Sequence, residues 1–165
     1  MQTLKLLCKN LETCYVRWVL AGSLSLALQG IDVEPHDIDL LTDRQGAYRI
    51  NAMLKKYEKK RVGYSETEKL SSYFGVFEIQ GVKVEVMGDY RERQGTKWVS
   101  LSRILADPKI IEVDGVRIPV CSLEDHLVSY RRLKRPKDAE KIRKISQRQD
   151  TLSSQRRMER TKDTE

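Results

Sequence analysis

Three cysteines, Cys8, Cys14 and Cys121, are all that this 165-residue chain holds, and none forms a Cys-x-x-Cys pair. An odd count without a secretory pattern excludes a disulfide framework, and the missing pair excludes a zinc knuckle. The thiols are read as free and wholly or partly buried. Histidine is almost absent: His36 and His126 have no metal-ligand partner at a workable spacing. His36 is read as a polar loop residue and His126 as a helix or core residue. No apolar stretch reaches the ~18 residues that a membrane span needs. Met1 to Cys8 lacks a long apolar run with a small-residue cleavage site, so no signal peptide is expected and the expected location is cytoplasmic. No internal repeat is visible.

What is there is charge. Charged residues make up 33% of the chain and hydrophobic ones 39%, with a formal net charge of +7. That balance fits one globular domain with a real core. The excess is confined to one end. Residues 131–165 carry 13 Lys or Arg against 6 Asp or Glu, whereas residues 1–130 carry 18 of each. A basic end can mark a polyanionic partner such as RNA, or simply a solvated helix and tail.

Periodicity predicts the elements. Leu4, Leu7, Cys8 and Leu11 give a helix over 2–13, residues 17–21 a short strand, and Ser23–Leu28 a short helix stopped by Gly30. A second strand covers 37–42. Residues 43–60 read as a long helix capped by Asp43, with Lys55, Lys56, Lys59, Lys60 and Arg61 favouring its C-terminal dipole. A period of two then gives strands over 73–80 and 82–87, joined by Gln80-Gly81. Residues 88–97 read as a loop, and Asp114-Gly115 turns a second hairpin. Ser122 caps a helix through Tyr130, and a last helix covers 137–148. Residues 1–149 are expected to form the domain, and 150–165, with only Leu152 and Met158 as large apolar residues, a disordered basic tail.

Two features lie close together in residues 18–42. Gly22-Ser23 follows a strand and opens a helix. Such a start presents unpaired N–H groups to an anion, although Gly-Ser is also an ordinary cap. Asp37-Ile38-Asp39 places two carboxylates on one strand face, roughly 6.6–7 Å apart at Cα. Like charges so placed repel unless a cation lies between them; the alternative is a strand edge with two solvated aspartates. In Val82 to Met87 the valines take one face and Lys83, Glu85 and Met87 the other. Glu85 is therefore a candidate third carboxylate if this strand lies beside the first, with Asp89 as the other candidate and an ordinary ion pair as the plain reading.

Gly22-Ser23, Asp37-x-Asp39 and an acidic residue on a later strand together resemble the polymerase-beta-like nucleotidyltransferase superfamily. The likeness is closest to its small bacterial and archaeal members, which in turn are similar to the N-terminal domains of antibiotic nucleotidyltransferases. It covers residues 1 to about 145. The resemblance implies an α+β fold: a mixed, mainly antiparallel sheet backed by helices on one face, with C-terminal helices closing a cleft. It implies a magnesium-dependent enzyme that moves a nucleoside monophosphate from an NTP to an acceptor hydroxyl. Asp37, Asp39 and Glu85 would hold two Mg2+ ions, and Glu85 would help deprotonate the acceptor. Gly22 and Ser23 would hold the triphosphate. The third carboxylate is glutamate here, where many members have aspartate.

Further candidates are Lys69 for a nucleotide phosphate, Ser72 for a base or sugar, and Arg135, Lys137 and Asp138 for the opposite cleft wall. Trp18, Tyr73, Phe74 and Phe77 are read as core residues. The acceptor is open: a small molecule, a protein or an RNA. Two other readings remain. One is a toxin–antitoxin-type regulatory protein of this fold acting on a protein or tRNA. The other is an RNA-binding module using residues 131–165, for which weak RNA contact is expected. No membrane partner is expected.

Overall fold

The structure, a computed structural model, describes the backbone of residues 1–162 and the side chains of residues 1–155. Its elements, in order, are α1 (Gln2–Thr13), β1 (Trp18–Ala21), α2 (Gly22–Leu28), β2 (Asp37–Thr42), α3 (Arg44–Met53), β3 (Glu58–Glu66), β4 (Leu70–Ile79), β5 (Val82–Gln94), β6 (Lys97–Ser100), α4 (Ser102–Ala106), β7 (Lys109–Val113), β8 (Val116–Val120), α5 (Leu123–Leu133) and α6 (Ala139–Lys162). The strands form a single sheet in the order β3-β4-β5-β2-β1-β8-β7, with β6 paired to β5. Only β2–β5 and β1–β8 are parallel, so the sheet is mixed and mainly antiparallel and the fold is α+β.

The main core lies on one face of this sheet. Leu20, Ile38, Leu40, Val84, Val86, Ile118 and Val120 point there from alternate strand positions. Leu4, Leu7, Cys8 and Leu11 of α1 and Ala47 and Ile50 of α3 cover them. Each fully buried Leu, Ile or Val among them contributes about 1.5–3 kcal/mol. The opposite face is covered only in part. Short α4 sets Ile104 against Val19, Ala21, Leu41 and Cys121. Beyond it, α5 and α6 close on α2 through Leu26, Leu123, Leu127, Tyr130 and Ile145. The uncovered remainder of that face carries Asp37, Asp39 and Glu85.

Four stretches differ from the sequence expectation. The helix expected over 43–60 ends at Met53, and a 3-10 turn, Lys55–Tyr57, leads into β3. Asn51 explains the switch: its side chain bonds Glu58 at 2.7 Å and accepts the Val62 N–H at 2.6 Å, tying the helix end to the new strand. The expected loop over 88–97 is mostly the continuation of β5, bent at Asp89 (φ 47°). Helix α4, of five residues, and β6, of four, were not expected at all. Finally, α6 continues beyond 148 through Lys162, where a tail without structure was expected; residues 163–165 of that tail lie outside the described residues.

Candidate active site

The register of three strands builds the site. On β2, Asp39 lies opposite Ala21 of β1 on one side and opposite Glu85 of β5 on the other. One step of two residues back, Asp37 lies opposite Lys83. Alternate residues share a face, so Asp37, Asp39, Lys83 and Glu85 form a square of charge on two neighbouring parallel strands. A carboxylate oxygen from each of Asp37, Asp39 and Glu85 lies within 4.8 Å of the other two. All three side chains are half-buried.

Lys83 completes the square. Its Nζ lies 3.0 Å from Asp37 Oδ2 and 2.8 Å from Glu85 Oε1, so one ammonium bridges two carboxylates. Its pKa is raised, first by the hydrogen bond to Glu85 and then by that to Asp37. Asp39 does not share this bridge. Burial, followed by the charges of Asp37 and Glu85, pushes its carboxyl up to about 7. Three carboxylates with one ammonium leave the square short of positive charge, and Asp39 carries the deficit. This is the donor set and the charge state that a hard divalent cation suits.

Gly22 shapes the floor. It has φ +66°, and a Cβ placed on it would lie 1.8 Å from Asp39 Oδ2. Only glycine lets the backbone run this close to the carboxylate. Gly22 also begins α2, whose cap residue Ala21 provides no side-chain hydrogen bond. The first-turn N–H groups, with Ser23 among them, thus start beside the carboxylates without a side-chain partner.

Of the two candidates for the third carboxylate, the structure brings Glu85 to the aspartates. Asp89 turns the other way and accepts the Arg44 N–H at 3.1 Å, at the start of α3. Lys69 does not join the group. Glu85 pairs with Val76 of β4, while Leu70 pairs with Glu92. That sets Lys69 roughly 20 Å farther along the sheet, where its Nζ donates to the Leu133 carbonyl at 2.9 Å. Ser72 is buried and His36 is exposed in the loop before β2. His126 is buried, with Nε2 3.2 Å from Ser25 Oγ.

The turn Pro136–Asp138 joins α5 to α6. Arg135 Nε donates to Asp138 Oδ2 at 2.6 Å, and Asp138 is fully buried. Its Oδ1 is buried and has no hydrogen-bond partner among the described residues. Burial raises the pKa of the Tyr130 phenol first, and the charges of Asp138 and Asp39 raise it further. Sequence reasoning missed Glu92 altogether. It is fully buried, accepts from Arg132 Nη1 at 2.7 Å and from Ser129 Oγ, and so ties β5 to α5. The only signal was the pair of basic residues on α5 with no acidic partner nearby in sequence.

Comparison with known proteins agrees with this fold. The family model described as aminoglycoside-2''-adenylyltransferase matches residues 3–147. A candidate nucleotidyltransferase from Thermotoga maritima is 40% identical, with a TM-score of 0.77, over 89% of this chain and 92% of its own. ANT(2'')-Ia, solved in complex with adenylyl-2''-tobramycin, has a TM-score of 0.55 at 13% identity, over 98% of this chain and 99% of its own. The lincosamide antibiotic adenylyltransferase LnuA, solved with lincomycin, has a TM-score of 0.53 at 14% identity, over 81% and 95%. These two identities show a shared fold. No curated protein sequence matches.

Proposed function

From the premise that this chain belongs to the aminoglycoside-2''-adenylyltransferase family of nucleotidyltransferases, we propose that it moves a nucleoside monophosphate from an NTP to an acceptor hydroxyl with the help of Mg2+. The observation that carries this reading is the in-register facing of Asp39 and Glu85, with Asp37 alongside. The residues fit the metal: three carboxylates offer hard oxygen ligands, and the Lys83 ammonium already lies between two of them. Asp37, Asp39 and Glu85 would hold two Mg2+ ions, which when bound neutralise phosphate charge and stabilise the oxygens of an in-line displacement.

The remaining chemistry belongs to the chain. Gly22 keeps the backbone open beside Asp39, and the uncapped N–H groups of Ser23 and its neighbours orient the triphosphate. The acceptor oxygen attacks the α-phosphorus. The bond from that phosphorus to the bridging oxygen breaks, and pyrophosphate leaves. Glu85 takes the acceptor proton in this reading. Residues 1–149 are the proposed catalytic unit, and truncation after residue 149 is expected to leave transfer intact.

The test is incubation with Mg2+, each labelled NTP and a fractionated pool of acceptors. A labelled product that disappears in Asp39→Asn supports the reading. A product that survives this substitution, or no product from any pool despite NTP binding, overturns it.

A further inference from the structure

A metal site built of three carboxylates does not call for a lysine among them. Strand pairing puts Lys83 there. Strands β2 and β5 run parallel, with Asp37 opposite Lys83 and Asp39 opposite Glu85. Alternate residues share a face, so the lysine lies on the side of the acids. Its Nζ lies 3.0 Å from Asp37 Oδ2 and 2.8 Å from Glu85 Oε1, and Asp39 is outside this bridge. A divalent ion using the same two oxygens would lie within a few ångströms of the ammonium and be repelled by it. Charge then limits the count. With every group ionised, three carboxylates and one ammonium leave two negative charges, which one divalent ion balances. A second ion would make the square cationic, unless the ammonium leaves or an anion arrives.

We propose that Lys83 holds the place of the second cation in the nucleotide-free protein, and that its ammonium passes to the triphosphate when the nucleotide binds. The proposal rests on the transferase reading and deepens it, adding an order of loading and a further phosphate-binding residue. The lysine is the partner able to move. Its side chain is half exposed, on a flexible four-carbon stem, whereas those of Asp37 and Glu85 are mostly covered. Glu78 of β4 lies opposite Lys83 as another resting place, but it pairs with Lys59 at 3.5 Å. The new negative charge at a metal-loaded square is the phosphate chain itself, which a lysine meets as a point charge. Lys83 thus serves the carboxylates before the nucleotide arrives and the phosphates afterwards. Removing its charge has opposite effects on the two: the metal gains, and the nucleotide loses.

The experiment is a Mn2+ titration of the full chain, read by calorimetry and by the electron paramagnetic resonance of free Mn2+. It is run without nucleotide and with the non-transferable α,β-methylene analogue of each NTP. The wild type is expected to take one Mn2+ alone and two with an analogue. Lys83→Met, with its fold checked by circular dichroism, is expected to take two without nucleotide. At saturating Mn2+ it should hold the analogue about tenfold more weakly, the usual loss for one charge-assisted hydrogen bond. Lys83→Arg, which keeps the charge, should recover most of that affinity and take one Mn2+ alone. Two equivalent Mn2+ ions on the nucleotide-free wild type overturn the proposal. So does a Lys83→Met that loses affinity for metal and analogue together, as a merely structural lysine would. Analogue binding of equal strength in wild type and Lys83→Met overturns it while leaving the transferase reading intact. No analogue binding by the wild type at any Mn2+ concentration overturns both.

Discussion

Gly22 and Asp39 are built against each other: the space that a Cβ on Gly22 would fill is held by Asp39 Oδ2, at 1.8 Å. The aspartate carboxyl therefore depends on the absence of a side chain at Gly22 for the place it takes beside Asp37 and Glu85. Gly22→Ala adds a side chain in a left-handed conformation and into a carboxylate. A loss of at least ~1 kcal/mol in urea unfolding is expected, together with weaker divalent binding and lost transfer. Wild-type metal affinity in a folded Gly22→Ala would show that the contact does not position Asp39.

Lys83 has a second consequence. Its ammonium occupies Asp37 and Glu85 in competition with any metal. The lysine side chain is half exposed, so the pair is screened and contributes ~1 kcal/mol or less. Lys83→Met is expected to bind Mn2+ a few-fold more tightly by calorimetry, while the metal-free protein melts at a lower temperature. Weaker Mn2+ binding would mean that Lys83 organises the carboxylates rather than competing for them.

The raised pKa of Asp39 gives metal binding a pH dependence. Below about 7 this carboxyl holds a proton, because burial and the neighbouring carboxylates disfavour its charge. A cation must displace that proton. Divalent affinity is expected to rise about tenfold per pH unit up to ~7 and to level off above, with proton release measurable in buffers of different ionisation enthalpy. A flat profile between pH 5 and 8 would contradict it.

His126 predicts the acid limit of the fold. Burial depresses its pKa from 6.5 to about 4. The unfolded chain therefore takes up the proton first, so stability present above pH 6.5 is lost as pH falls toward 4. The loss amounts to a few kcal/mol at most, at ~1.36 kcal/mol per unit. Denaturant midpoints of His126→Gln should fall less steeply across this window than those of the wild type; parallel curves would rule His126 out as the cause.

The parts of this molecule legible in the sequence are those set by short-range rules. Gly22-Ser23 stands where a strand gives way to a helix, and Asp37-x-Asp39 has the two-residue spacing of one strand face. Glu85 follows from the valines that alternate with it. The strand β3 was hidden because Val62 is its only buried residue, and its run of Lys59, Lys60 and Arg61 is equally at home at a helix end. The second half of β5 was hidden for a different reason. Its bend at Asp89 breaks the alternation, and Glu92, the residue that fastens it to α5, is a charge where a strand's buried face normally shows an apolar side chain.

Strand β2 is paired along both edges, to β1 on one side and β5 on the other. A one-residue slip there would turn every side chain to the opposite face: Ile38 and Leu40 would lie in the open groove, and both aspartates in the oily interior. An insertion or deletion within 37–42 is thus expected to remove catalysis and folding together.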